Sequence, residues 1–269
     1  MTSISFHVAA LLAYIAAAVF YGANLSLKNV AQVKQARVWF IIALLIHTTA
    51  IGVFCVTVKQ SPFASGLGTF SVASWAVALL FLPIELRGKI PALGALAAPV
   101  CGVLLFAGLV RGRSGVNLLP ALKTGMTSLH VLLVLTSFAL FALAACCATF
   151  YVWQYGLLKH PDKRARFRKL PPLDTVDGLA YHLVAFALPL LTLGLALGFV
   201  NAAGGAVKGN FMADPHTIIS LGAWLVYGIY LVARTLGGWR GQRLNYLLIA
   251  GMVVTLALYF VPTTTHKFM

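Results

Sequence analysis

The chain has 269 residues, of which 61% are hydrophobic and 9% charged, with a mean hydropathy of +0.92. A soluble domain carries about 25% charged residues, so lipid must solvate most of this surface. The net charge is +15, yet once the apolar runs are set aside no basic module remains to read a nucleic acid.

A spanning helix takes about 20 apolar residues, and eight runs qualify: 4–25, 38–58, 66–85, 90–110, 126–156, 176–200, 216–236 and 244–262. The first run has neither a basic n-region nor a small-residue cleavage site, so it reads as a retained span. Only the short turn Arg87–Gly88–Lys89 separates the third run from the fourth. The fifth is long enough to tilt or to project beyond the bilayer. Before it, 117–123 reads as a short amphipathic segment lying at the interface. After it, the basic stretch 159–169 ends in Leu170-Pro171-Pro172-Leu173-Asp174, where the prolines stop any helix and Asp174 or Thr175 can cap the next. The loop 201–215 is rich in Gly and Ala, with no structure of its own expected. The expected fold is an all-α, polytopic transmembrane helical bundle of about eight spans, a single integral-membrane domain over 1–269. No internal repeat is visible, which disfavours an inverted-repeat transporter.

Lys and Arg set the orientation. The loops at 28–37, 87–89, 159–169 and 234–243 hold 14 of the 20 basic residues, and the alternate loops and tail hold the other 6. The richer side belongs in the cytoplasm, and an even number of spans then leaves both termini outside. The cysteines, Cys55, Cys101, Cys146 and Cys147, lie within apolar runs and form no CxxC or CxxCH. They read as packing residues, with neither a dithiol motif nor a covalent haem site.

Ionisable residues within spans are functional candidates. Glu85, Asp174 and Asp177 sit near span ends, and no carboxylate lies at mid-membrane, which weakens the reading of a pump or ion-coupled carrier. Under the orientation above His7, His130, His216 and His266 lie near the outer surface. His47 is near the middle of the second span, His182 is in the inner part of the sixth, and His160 is in the basic loop. Neutral imidazoles from two helices can hold one haem iron between them.

Residues 120–131, Pro-Ala-Leu-Lys-Thr-Gly-Met-Thr-Ser-Leu-His-Val, resemble the segment before the first outer haem histidine of the CcsA-like cytochrome c assembly family. Leu170-Pro-Pro-Leu-Asp-Thr-Val-Asp-Gly-Leu-Ala-Tyr181 and the Gly194/Gly198 helix look like its next span, where the glycines let another helix approach closely. Asp214-Pro215, the helix Trp224–Arg234 and Gly238-Trp-Arg-Gly241 are similar to the family's acid-proline run, its aromatic-rich helix and its basic turn. The likeness is good over about 115–245, and 115–266 is identified as the cytochrome c assembly-like core. The chain departs from the pattern in two places. The tryptophan-rich motif of full synthases is reduced to Phe211-Met-Ala-Asp-Pro215, and Val232 stands where the following helix carries a histidine. A bundle of eight spans with an eroded motif looks most like the HemX/YpjD branch, in which the second span often carries a histidine where His47 lies.

The resemblance implies a haem-binding accessory protein of cytochrome c assembly in a bacterial inner membrane, not a complete synthase. It implies a non-covalent, b-type haem with His130 and His266 as axial ligands to the iron and Asp214 beside them. The expected partners are the lipid bilayer and other assembly proteins, and no catalytic residue is identified. Trp75 and Trp224 read as packing residues. Two alternatives stay open: a non-catalytic regulator or scaffold of tetrapyrrole synthesis or another membrane complex, acting through 159–169, and a small-molecule or metal-ion transporter.

Overall fold

In lipid each backbone polar group must be satisfied within its own segment, so apolar runs of this length fold as helices. The computed structural model describes residues 2–27, 30–58, 62–88, 90–112, 125–159, 170–206 and 211–257. These form eight α-helices: α1 (Thr2–Leu27), α2 (Val30–Val58), α3 (Gly66–Gly88), α4 (Gly94–Arg111), α5 (Gly125–Leu158), α6 (Leu173–Asn201), α7 (Pro215–Thr235) and α8 (Gln242–Ala257). The first seven are long and apolar enough to cross a membrane, while α8 has 16 described residues. The amphipathic segment at 117–123, the loop 160–169 and the end of the eighth run at 262 lie outside the described residues.

Two expectations are corrected. The stretch 201–215 has structure of its own, because a π-turn at Ala202–Ala206 extends α6 and a 3₁₀ turn at Phe211–Ala213 leads into α7. Neither Asp174 nor Thr175 caps α6: Pro172 holds that position and Asp174 sits inside the first turn, where its charge faces the positive helix end.

The helices alternate in direction. The start of α1 meets the start of α3 through His7 and Ser71, and their far ends meet through Tyr21 and Glu85. α2 runs antiparallel to both, since its early Arg37 also reaches Glu85. The odd-numbered helices therefore begin at one face, here the N-terminal face, and the even-numbered helices begin at the opposite one. α1–α4 form one half and α5–α8 the other, and α5 joins them by packing against α3 and α4.

α5 is the spine. Every residue from Ser137 to Ala148 is buried, so this helix is sheathed in protein all round. Between α1 and α2 the seam is regular. Ser3, His7, Ala10, Tyr14, Ala17 and Tyr21 on one side face Ala36, Phe40, Ala43, His47, Ala50 and Phe54 on the other, each at most 2% exposed. Steps of four and three alternate on both helices, which is the 3.5-residue period of supercoiled pairs. A small residue at every second position, alanine everywhere but at Ser3, brings the backbones close. Outward-facing Leu12, Val19, Leu45, Val56 and Phe186 are more than half exposed and form the lipid surface.

Candidate functional site

The site expected from sequence begins at the N-terminal face, where α5 and α6 cross. Asn201 donates from Nδ2 to Thr127 Oγ1 at 2.7 Å, tying the end of α6 to the first turn of α5. One turn further in, His130 lies flat on α6 where Gly198 leaves room. A β-carbon on Gly198 would meet His130 Cε1 at 2.8 Å, and one on Gly194 would meet Val134 Cγ2 at 2.8 Å. The His130 Nδ1–H donates to the Gly194 carbonyl at 2.6 Å. A carbonyl can only accept, so Nδ1 carries the hydrogen and the neutral ring presents its lone pair at Nε2. Among the described residues nothing hydrogen-bonds that Nε2. A backbone carbonyl behind the imidazole is the usual device for aiming a histidine at a metal. His130 and the Gly194/Gly198 pair, far apart in the sequence, are thus one structural unit.

Asp214 is at the same face and 1% exposed. It is the N-cap of α7, with Oδ1 accepting from the His216 backbone N–H at 2.9 Å. Its observed work is therefore capping, and His216 is buried beside it. His266 lies outside the described residues. Val232, at the position of the family's intramembrane histidine, is 56% exposed on the outer side of α7. Trp75 and Trp224 each donate from Nε1 to a threonine of a neighbouring helix, Thr48 and Thr192, at 2.9 Å.

The opposite face is built from charge pairs. In the first half, fully buried Glu85 of α3 pairs with Arg37 of α2 at 3.2 Å and accepts from the Tyr21 hydroxyl of α1 at 2.9 Å. In the second half, Asp177 of α6 pairs with Arg234 of α7 and accepts from Asn245 Nδ2 of α8 at 2.9 Å. Each carboxylate fastens three helices, so neither is available as a mid-membrane carrier. A polar cavity of about 390 Å³, lined by Asp174, Tyr181, His182 and Arg240 among others, opens beside Asp177. It is at the far end of the bundle from His130. Cys101, Cys146 and Cys147 are buried free thiols.

The family model for "Cytochrome C assembly protein" matches residues 4–268. The chain belongs to this family. Among curated proteins it is similar to the cytochrome c biogenesis protein CcsA of Guillardia theta, with 26% identity over 81% of this chain and 79% of that one. The CcsA of a Picosynechococcus strain is 24% identical over 81% of each chain. The CcsA of Chlamydomonas reinhardtii is 28% identical over 60% of this chain and 46% of its own. No solved structure matches. The family match begins in α1, far upstream of the stretch 115–245 that carries the resemblance in the sequence.

The structure also gathers residues that sequence reasoning left apart. His7 was expected near the surface and His47 near mid-membrane, yet their ring centroids lie 6.0 Å apart in the first half of the bundle. Tyr14 and Ser71 complete the group. The alternating period of α1 and α2 carries the signal: His7 and Tyr14 fall on the same seam as His47.

Proposed function

We propose that this chain, a membrane protein of cytochrome c assembly, is a haem-handling accessory protein of the HemX/YpjD type with 115–266 as its haem-handling core. The single observation that carries the reading is the geometry of His130, whose Nδ1–H is held by the Gly194 carbonyl so that Nε2 is left as a lone-pair donor. The half-buried ring stands at a helix end, where a macrocycle can rest on apolar helix surface while its propionates reach water. His130 and His266 are the proposed axial ligands of a non-covalent, b-type haem, with Asp214 holding the start of α7 beside it. When bound, haem supplies a redox-active iron whose potential is tuned by its axial ligands and their hydrogen bonds. His130 binds and orients, and Gly194 fixes its tautomer. The reduced 211–215 motif and Val232 favour an accessory role over a complete synthase. The excess of Lys and Arg on the opposite face supports placing the N-terminal face and both termini outside the cytoplasm of a bacterial inner membrane, with other assembly proteins as partners.

The test is the visible absorption spectrum of the detergent-purified protein. A Soret band is expected in the wild type, and both His130→Ala and His266→Ala should lose it. Absence of the band in wild type, or its persistence in both variants, overturns the assignment.

A further inference from the structure

At the face opposite His130, the first turns of α6 and the end of α7 enclose the polar cavity of about 390 Å³. Four charged residues among those described line it: Asp174, Asp177, Arg234 and Arg240. Two of them are engaged with each other. Asp177 pairs with Arg234 and accepts from Asn245 Nδ2 at 2.9 Å, and the Arg234 guanidinium also covers the Tyr181 ring at 5.8 Å. Asp174 and Arg240 are exposed, and neither is in an ion pair among the described residues.

Arg240 is carried on a fixed turn. Gly238 and Gly241 take left-handed φ values of 63° and 90° on either side of Trp239-Arg240, which glycine adopts without a steric penalty. The turn is closed onto α7. The Trp239 N–H donates to the Ala233 carbonyl at 3.0 Å and the Gly237 N–H to that of Val232 at 3.3 Å, satisfying carbonyls that the helix end leaves over. Arg234 Nη1 donates to the Trp239 carbonyl at 3.4 Å. Asp174 is fixed by the first turn of α6.

The uncharged polar atoms add acceptors. His182 Nδ1 lies 2.7 Å from the Gly178 carbonyl oxygen, so Nδ1 carries the hydrogen and the neutral ring keeps a lone pair at Nε2. Thr235 Oγ1 gives its hydrogen to the Leu231 carbonyl at 2.7 Å, so its oxygen is left to accept. The cavity thus has one unpaired cation, one unpaired anion and two neutral acceptors. It holds no surplus of positive charge for a purely anionic guest, and its complement is a zwitterion.

Its surroundings are apolar. Phe186, one turn along α6 from His182, is 69% exposed, and Val232 and Leu236 of α7 are 56% and 83% exposed. Trp239, beside Arg240, is 59% exposed at the end of a spanning helix, where tryptophan settles at headgroup level.

We infer that this cavity binds the headgroup of a phospholipid that carries a primary ammonium, phosphatidylethanolamine. The phosphate sits on Arg240, with the Tyr181 hydroxyl as a second donor. The ammonium sits on Asp174, and the acyl chains run over Phe186, Val232 and Leu236. Phosphatidylglycerol has no cation for Asp174, and the trimethylated ammonium of phosphatidylcholine has no N–H to donate. The basic stretch 159–169 attracts anionic lipids without distinction, so preference, not binding alone, marks the site.

The test reconstitutes the full chain into vesicles of equal parts phosphatidylethanolamine, phosphatidylglycerol and phosphatidylcholine. The protein is then extracted in mild detergent and its retained lipids are counted by native mass spectrometry. Phosphatidylethanolamine is expected to be retained about fivefold over the other two, the modest factor that exposed charges allow. Arg240→Gln should abolish that preference. Asp174→Asn should turn it towards phosphatidylglycerol, because Arg240 then has no opposing charge nearby; a carboxylate that only steadied α6 would not invert a lipid preference. Changing Lys163, Arg164, Arg166 and Arg168 to Gln should lower phosphatidylglycerol and leave phosphatidylethanolamine bound. No preference in the wild type, or one unmoved by Arg240→Gln, overturns the site. Soluble glycerophosphoethanolamine should not displace the lipid, and displacement would overturn the lipid as the ligand in favour of a free phosphodiester. Should Asp174→Asn not fold, Arg240→Gln is set against Arg240→Lys, which keeps the charge and should keep the preference; equal behaviour of the two overturns the site as well. None of these readouts requires haem.

Discussion

Replacing Gly198 by alanine tests the α5–α6 crossing and the candidate site together. The added β-carbon would sit 2.8 Å from His130 Cε1 and 3.0 Å from Nδ1, inside any ordinary contact. Either the imidazole swings away and loses its 2.6 Å bond to the Gly194 carbonyl, or α6 is pushed off α5. Overpacking of this kind costs about 1–3 kcal/mol, and a lost hydrogen bond adds about 0.5–1.5 kcal/mol. Alanine's better helix propensity returns about 1 kcal/mol. A net destabilisation of about 1–3 kcal/mol is expected. The control is Gly228→Ala in α7, where a new β-carbon meets nothing within 4 Å and the change should be neutral or slightly stabilising. The assay is reversible unfolding of the detergent-solubilised protein followed by circular dichroism, with the His130 ring nitrogens monitored in parallel. If Gly198→Ala proves as stable as Gly228→Ala and His130 keeps its Nδ1–H signature, the close packing of α5 on α6 is wrong.

Glu85→Ala should lower stability by roughly 2–4 kcal/mol in the same assay, because it strands Arg37 and the Tyr21 hydroxyl; part of the arginine is exposed, which keeps the loss toward the lower figure. Glu85→Gln, which still accepts from Tyr21, should lose less. Gly94→Ala acts on the same group from behind, since its β-carbon would meet the Tyr21 ring at 2.7 Å; a loss of about 1–3 kcal/mol is expected on thermal unfolding. Asp214→Asn retains a capping oxygen and should keep stability within about 0.5 kcal/mol, whereas Asp214→Ala should lose about 1 kcal/mol. If Asp214→Asn leaves the Soret band intact, the acid's contribution is its cap and not its charge. Trp75→Phe removes the hydrogen bond to Thr48 and should cost about 0.5–1.5 kcal/mol on denaturant unfolding.

Hydropathy alone placed the helices. The expected runs 66–85, 126–156 and 216–236 fall on α3 at 66–88, α5 at 125–158 and α7 at 215–235, because lipid leaves the backbone no alternative to the helix. The resemblance to the assembly family was equally legible, as was the small-residue pair at Gly194 and Gly198, since a missing side chain is written in the sequence itself. The partner of that pair was not. Nothing in the spacing from 130 to 198 says that an imidazole lies on one glycine and donates to the carbonyl of the other. The structure between 201 and 215 was missed because Gly and Ala carry no strong local signal.

Composition and periodicity decide which residues sit in lipid, which face of a helix is polar and where chains turn, since those depend on neighbours close in sequence. Which helices meet is decided by the summed fit of whole surfaces, and no local pattern carries that sum. His7 and His47, 40 positions apart, become one hydrogen-bonded group only because the alanine-lined seam brings α1 and α2 close enough for Ser71 of a third helix to bridge them.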